Sequence, residues 1–309
     1  MKKRFESGNS GNQISFDYSG AELVVEKLVK KRNNISKILN NPGYNKILEH
    51  SRKYSSNLLK QKNLLNSLNG KNEGFDFSKV VERKDKYYEM LNYLKKEELK
   101  IIEHYGKLCL KYLPDEYQQN AVIYYVIGGY NGIAFDQSVC LNIDYKQFRE
   151  NINELKLYLA HELFHVGFEH YQKLPDIHKA KKIRDLKEFV LLLTMNEGLA
   201  TLCPYYKRME MGEISDRDYQ ILLDPIELNS KIKQFNEIIY YLDMNLDRDL
   251  NDEIIGDVLG QCSTDRLFYV VGCHIGFKIE DKFGNDKIKQ MVKRRPEDFF
   301  NQYYQLLKD

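Results

Sequence analysis

The residues best suited to chemistry in this chain form one short group, His161-Glu162-Leu163-Phe164-His165. Positions four apart on a helix lie on the same face, so the two imidazoles can converge on one metal ion. Zinc accepts such a pair, with nitrogen ligands at about 2.0–2.1 Å. Glu162 is then placed to accept a proton from a water activated by the metal. The spacing predicts a hydrolytic site with one Zn²⁺ ion.

A catalytic zinc site usually has three protein ligands, so a third must come from elsewhere in the chain. The metzincin spacing is absent, because Tyr171 stands where its third histidine would be. His170 lies about 180° around the helix from His161, which makes it a surface or supporting group.

Glu197 is the better candidate for the third ligand. It follows His165 by 32 residues and lies in a strongly apolar segment. An unpaired carboxylate there would cost several kcal/mol, which a metal ion would compensate. Thr201, one turn further on, could orient His161 or His165 through the free ring nitrogen. The small Gly198 would let this helix approach the metal helix closely. The alternative is that Glu197 lies at a helix end and faces water.

With these residues in place, the chain resembles the gluzincin zinc metallopeptidases. The resemblance rests on His161-Glu162-x-x-His165 followed by Asn196-Glu197-Gly198-Leu199-Ala200, and covers residues 121–203. It is greatest to uncharacterised zinc-dependent peptidases of bacteria. The gluzincin aminopeptidase strand motif Gly-Ala-Met-Glu-Asn is missing, and Gly129-Tyr130-Asn131-Gly132-Ile133-Ala134 occupies its region.

The resemblance also implies a Tyr or His in the C-terminal part that stabilises the oxyanion. Tyr269 shares one side of a predicted helix with Gly272 and Gly276, whose small size permits close packing. His274 lies about 140° away around the same helix, so both cannot serve. We expect Tyr269 to act here. The alternative is a tyrosine that only fills the core.

The elements that would position these residues are mostly helices. Between them, residues 121–127 and 133–143 read as two strands joined by a glycine-rich loop. Such a hairpin could offer Gly132, Ile133 and Ala134 as an edge on which an extended substrate pairs. It could equally do no more than pack the metal helix. The predicted helices span 19–39, 44–68, 77–94, 97–113, 151–173, 186–202, 229–242, 252–259, 265–283 and 286–307.

The predicted fold class is therefore α+β and predominantly α-helical, with a small antiparallel sheet. We expect a loose tail at 1–18 and an N-terminal helical region at 19–118. A zinc-binding core at 119–205 and a C-terminal helical region at 206–309, which closes the cleft, would follow.

Composition narrows the classes of partner. The 47 basic and 45 acidic residues leave a net charge of +2, which gives no electrostatic reason to expect nucleic acid or an anionic membrane. No apolar run reaches the roughly eighteen residues of a transmembrane helix. The five cysteines lack any close pair, and the N-terminus lacks the apolar part of a signal peptide. These features predict a soluble cytoplasmic protein.

We therefore expect a zinc metallopeptidase acting on a peptide or protein substrate. Two other functions remain open at this point. One is a non-catalytic, zinc-stabilised helical protein that binds a peptide or a partner, and the other is a zinc hydrolase of a non-peptide substrate.

Overall fold

The structure, a computed structural model, describes residues 4–6, 13–54 and 58–308. Within these residues lie five strands and fifteen α-helices. The strands are β1 (Arg4–Glu6), β2 (Gln13–Asp17), β3 (Asn120–Val126), β4 (Gly132–Phe135) and β5 (Ser138–Asn142). The helices are α1 (Ser19–Val29), α2 (Ile35–Leu39), α3 (Pro42–Tyr54), α4 (Gln61–Leu68), α5 (Lys84–Ile101), α6 (Lys146–Glu150), α7 (Ile152–Tyr171), α8 (Ile183–Leu202), α9 (Tyr205–Met211), α10 (Arg217–Leu223), α11 (Pro225–Asp243), α12 (Asp252–Thr264), α13 (Leu267–Phe283), α14 (Asn285–Val292) and α15 (Pro296–Leu306).

The chain divides into two compact units. The first comprises residues 1–107 and 118–166, and the second comprises 108–117 and 167–309. The predicted regions 19–118, 119–205 and 206–309 have other boundaries, since this division falls inside α7. No helix in the described part of the chain combines the length and apolar character needed to cross a bilayer.

One sheet organises the first unit, with strand order β1-β2-β3-β5-β4. The pairs β2 with β3 and β3 with β5 are parallel, whereas the two outer pairs are antiparallel. Every residue of β5 is buried, as expected of a parallel strand covered on both faces. The helix-dominated α+β class is confirmed. The sheet is mixed, so the prediction of an antiparallel sheet was wrong in that detail.

The predicted second strand, 133–143, is in fact two strands. Asp136 and Gln137 have φ values of 46° and 55°, and two such residues in succession form a tight hairpin turn. The chain therefore goes out along β4, turns, and returns as β5 between β4 and β3. This arrangement leaves β4 at the end of the sheet. The turn lacks the usual Asn-Gly signal, which is why the sequence pattern read as one strand.

The predicted loose tail was also wrong where it is described. Residues 4–6 form β1, and residues 13–17 form β2, which pairs in parallel with β3 from Gln13 opposite Asn120 to Asp17 opposite Tyr124. Ile14 and Phe16 on β2 are buried in the core. Their alternation with polar residues is short and was outweighed by the Gly, Ser and Asn around it. Residues 1–3 and 7–12 of the predicted tail lie outside the described residues.

The second unit is built around α8 and α13, which cross with their backbones in contact. An added Cβ at Gly198 would lie 2.2 Å from the Cα of Gly272. The small residue in α8 therefore admits α13, a different helix from the one predicted. Gly276 packs against Leu199 and Leu202 of α8 in the same way. Basic residues near the start of α8 form ion pairs with aspartates of residues 243–249. The pairs are Lys182 with Asp249, Arg184 with Asp247 and Lys187 with Asp243.

Candidate metal centre and peptidase site

The helix α7 carries the His-Glu-x-x-His group in its middle. Its apolar residues point in all directions around the axis, and those from Leu155 to Phe164 are fully buried. A helix that is apolar all round is stable only inside a core, so polar side chains on it are drawn into the core with it. His161 is 9% exposed and Glu162 3% exposed, while His165 is half-buried.

The two imidazoles face one another. Their Nε2 atoms are 3.0 Å apart, and the rings meet edge to face at 4.7 Å between centroids. Two nitrogens bound to one tetrahedral zinc at about 2.0–2.1 Å would be about 3.3 Å apart, which is close to the separation found. Tyr158, one turn earlier on α7, stacks on His161 and fixes the plane of its ring.

A third ligand atom belongs to the same group. One ligand atom from each of His161, His165 and Glu197 lies within 4.8 Å of the other two. In the described part of the chain, no other three His, Cys, Asp or Glu side chains are grouped in this way. Two imidazole nitrogens and one carboxylate oxygen are a donor set that suits zinc, so the residues present fit the metal expected from the sequence.

Glu162 faces the first residue of β4. A Cβ added to Gly132 would lie 3.0 Å from Glu162 Oε1 and 2.5 Å from the ring of Tyr158. The thiol of Cys140 on β5 has a raised pKa, caused first by burial and then by the negative charge of Glu162. Glycine at position 132 therefore lets the side chains of Tyr158 and Glu162 pack closely against the backbone of β4.

The predicted edge residues Gly132, Ile133 and Ala134 form most of β4, the terminal strand of the sheet. The loop before β4 is held at both ends. The amide of Gly128 donates to Asn142 Oδ1 at 2.9 Å, and the amide of Asn142 donates to the carbonyl of Asn131 at 2.9 Å. Gly128 and Gly129 have φ values of 78° and 83°, a conformation that glycine adopts without strain.

Glu197 lies five residues before the end of α8, in a segment of buried neighbours such as Met195 and Leu199. It is itself half-buried. Thr201 has a different partner from the predicted imidazole. Its hydroxyl donates to the carbonyl of Glu197 at 2.8 Å, a bond to the backbone one turn earlier in α8.

The negative charge of Glu197 acts on the hydroxyl of Tyr269 on α13. The pKa of the Tyr269 hydroxyl is raised, first by the negative Glu197 and then by burial, and Arg266 opposes the shift. The guanidinium of Arg266 lies over the Tyr269 ring at 3.5 Å from its centroid. The other candidate, His274, instead packs edge to face on Tyr303 of α15. Burial, with a smaller effect of Lys278, lowers the pKa of His274 to about 4.

Two residues next to Tyr269 were missed by the sequence analysis. Arg266 donates from Nε to Asp218 Oδ1 at 2.6 Å and from a terminal nitrogen to Oδ2 at 2.5 Å. Asp218 is 5% exposed, and burial raises its pKa even though Arg266 acts in the opposite direction. Arg266 has a φ of 61°, so the backbone before α13 is in a left-handed conformation that aims this side chain. A charged residue before an apolar helix carries no signal of such a distant partner.

Comparison with known proteins gave one match. A sequence profile of the family described as "Putative zinc dependent peptidase (DUF5700)" matches residues 33–309. No curated protein and no solved structure matches the chain.

Proposed function

Because the chain belongs to this family of zinc-dependent peptidases, we propose that it is a gluzincin-like metallopeptidase that hydrolyses peptide bonds. His161, His165 and Glu197 would hold one zinc ion. The observation that carries the proposal is the grouping of one ligand atom from each of these residues within 4.8 Å, with Glu162 beside two of them in the chain. A chance His-Glu-x-x-His helix gives no reason for a remote carboxylate to join it.

When bound, zinc would supply a Lewis acid that polarises the substrate carbonyl and lowers the pKa of water. Glu162 then acts as the general base and acid. Its carboxylate accepts a proton from the attacking water and later gives that proton to the nitrogen of the leaving amine. Its near-complete burial and its position beside Gly132 support this role, since water and substrate would meet it at the sheet edge.

The edge strand would hold the substrate. Gly132, Ile133 and Ala134 belong to β4, which ends the strand order and pairs with β5 on one side. An extended peptide can add to such a strand by main-chain hydrogen bonds. Its reacting carbonyl would lie near Gly132, because the Glu162 carboxylate closely approaches the backbone of this residue.

Tyr269 would donate a hydrogen bond to the oxyanion that forms when the carbonyl is attacked. Glu197 is the largest cause of the raised pKa of this hydroxyl, which supports a place for Tyr269 beside the candidate ligand. A tyrosine hydroxyl is protonated at neutral pH, as a donor must be. The contact of His274 with Tyr303 favours Tyr269 over His274.

The test is hydrolysis of a peptide library by the full chain loaded with zinc, with Glu162→Gln as the variant. We expect Glu162→Gln to keep its zinc and to lose about two to four orders of magnitude in rate. Glu237→Gln on α11, an exposed residue, is the matched control and should cleave like the wild type. Cleavage products are identified by mass spectrometry, and zinc is quantified by elemental analysis.

Two results would contradict the proposal. If Glu162→Gln cleaved peptides at the wild-type rate, Glu162 would not be the general base. Zinc-dependent thermal stability without cleavage of any peptide would favour a non-catalytic zinc-stabilised protein or a hydrolase of another substrate.

A further inference from the structure

A cluster of aromatic rings flanks β4 on the face that is turned away from Glu162. His50 and Tyr54 belong to α3, Tyr130 lies in the loop before β4, and Phe135 is the last residue of β4. The ring of His50 is 5.4 Å from that of Tyr130 and 6.1 Å from that of Phe135. Tyr54 is 5.0 Å from His50 and 6.3 Å from Phe135. We name these four residues the ring cluster.

The ring cluster differs from the aromatic core of the same unit. Tyr44 and Phe75 in that core have no exposed surface. All four rings of the cluster are half-buried, so each keeps part of its surface accessible. Core packing therefore covers only part of each of these four rings, and the rest of each ring is accessible.

The position of the ring cluster follows from the register of β4. Gly132 turns towards Glu162, and side chains alternate along a strand, so Ile133 and Phe135 turn to the other face. That face is the one where α3 contributes His50 and Tyr54. Phe135 lies three residues beyond Gly132, which corresponds to about 10 Å along an extended chain. A peptide paired with β4 would pass Phe135 of the ring cluster about three residues from the reacting carbonyl.

The chemistry of the ring cluster favours an aromatic guest. His50 meets Tyr130 and Phe135 at 70° and 88°, so the cluster presents ring edges as well as faces. Aromatic pairs prefer such edge-to-face contacts. The ammonium groups of Lys46 and Lys53 each lie 5.5 Å from the centre of the Phe135 ring. Lys46 is ion-paired with Asp136 and Glu49, so its charge is largely balanced at the rim of the cluster.

Resting on the proposed peptidase function, we infer that the ring cluster is a specificity subsite. It takes an aromatic side chain of the substrate about three residues from the cleaved bond. The side of the cleaved bond on which this residue lies depends on the direction in which the peptide pairs with β4.

The test begins with cleavage of a peptide library by the zinc-loaded wild-type chain, from which the preferred residue at each position is counted. Two ten-residue peptides that differ only by Phe or Ala at the position three residues from the cut are then made. Their binding to zinc-loaded Glu162→Gln is measured by fluorescence anisotropy, which does not require turnover. We expect the Phe peptide to bind about tenfold more tightly, the usual effect of burying part of an aromatic side chain.

Variants of the ring cluster, made in the Glu162→Gln chain, test whether these rings cause the preference for the Phe peptide over the Ala peptide. Tyr54→Ala should reduce it to about twofold, whereas Tyr54→Phe should keep it because the ring remains. Tyr240→Ala on α11, the same exchange at a residue that is 67% exposed, should leave it unchanged. If Tyr54→Ala fails to fold, His50→Gln replaces it, with the same expectation.

The inference and the proposed function fail in different ways. Cleavage without an aromatic preference near this position, or a preference that survives both Tyr54→Ala and His50→Gln, overturns the subsite alone. A zinc-loaded wild-type chain that cleaves no peptide overturns the proposed function and the subsite with it.

Discussion

The helices α7 and α8 carry the candidate metal ligands in different ways. On α7, His161 and His165 belong to one helix turn, and their Nε2 atoms are 3.0 Å apart. On α8, Glu197 is a single candidate ligand whose charge acts on groups from remote positions, namely Asp218 on α10 and Tyr269 on α13. The histidine pair therefore depends on local helix geometry, whereas the surroundings of the carboxylate depend on how three helices pack.

This difference has an energetic side. The helix of the histidine pair is stabilised by apolar burial on all sides, with no need for a charged partner far away in sequence. The surroundings of Glu197 contain an ion pair whose acidic partner is buried and a helix crossing in which backbones touch. Substitutions at these features should be destabilising. Loss of one member of the ion pair leaves the charge of Asp218 buried without its partner, and an added side-chain atom at the helix crossing finds no space.

The largest expected effect is on zinc affinity. His161→Ala should weaken zinc binding by more than about a hundredfold, since even residues that only support a ligand contribute about ten- to a hundredfold. Glu197→Ala should do the same if it is a true ligand. Competition with a chelator of known affinity measures both. If Glu197→Ala bound zinc as tightly as the wild type, the comparison of α7 with α8 would fail, because residues of α7 alone would then hold the metal.

The next effect concerns the crossing of α8 and α13. A Cβ at Gly272 would lie 2.1 Å from the carbonyl oxygen of Thr194, and backbone atoms cannot rotate away. Gly272→Ala should therefore lower the free energy of unfolding by about 3 kcal/mol, the upper end for overpacked cores. Urea denaturation of the metal-free chain measures it.

The same substitution on another helix is the control for this crossing. Gly256 lies in α12 with nothing within 4 Å of an added Cβ. Gly256→Ala should stabilise the protein by up to about 1 kcal/mol, the difference in helix propensity. A loss of stability similar to that of Gly272→Ala would show that the crossing is not the cause.

The smallest effect is expected from the ion pair. Arg266→Met removes the partner of the buried Asp218, a change that costs about 3–5 kcal/mol for a fully buried pair. The Arg266 side chain is 37% exposed, so we expect about 2 kcal/mol after allowing for solvent screening. The control is Arg32→Met, since the Arg32 and Glu26 pair lies at the surface and should contribute less than about 1 kcal/mol.

The pH dependence sharpens this last prediction. Burial already raises the pKa of Asp218, and loss of Arg266 should raise it further. A raised carboxyl pKa means that the folded state binds the proton more tightly than the unfolded state. The contribution of Asp218 to the free energy of unfolding is then greatest below the unfolded pKa of about 3.9. This contribution is lost as the pH rises through the folded pKa. The deficit of Arg266→Met should therefore be larger at pH 7 than at pH 4 in denaturation experiments.

Much of the fold was predictable wherever a helical pattern was long. The apolar pattern of the sequence predicted α7 and α8 to within about three residues at each end. It missed breaks that local residues impose, such as Pro296, which begins a new helix inside the predicted helix 286–307. It also joined β4 and β5, because the turn at Asp136 and Gln137 uses residues that rarely form one.

For the candidate site, residue types and spacing alone determined the histidine pair and Glu162, because four residues along a helix make one turn whatever surrounds it. The same pattern nominated Glu197, since a carboxylate in an apolar helix needs a partner.

Only the tertiary structure decided which residues lie around these groups. It gave Thr201 a partner within its own helix, put Gly198 against α13, and brought Arg266 and Asp218 beside Tyr269. It also made Gly132 the residue that faces Glu162. These contacts join residues far apart in sequence, and their formation depends on the burial and shape of whole helices rather than on any local spacing.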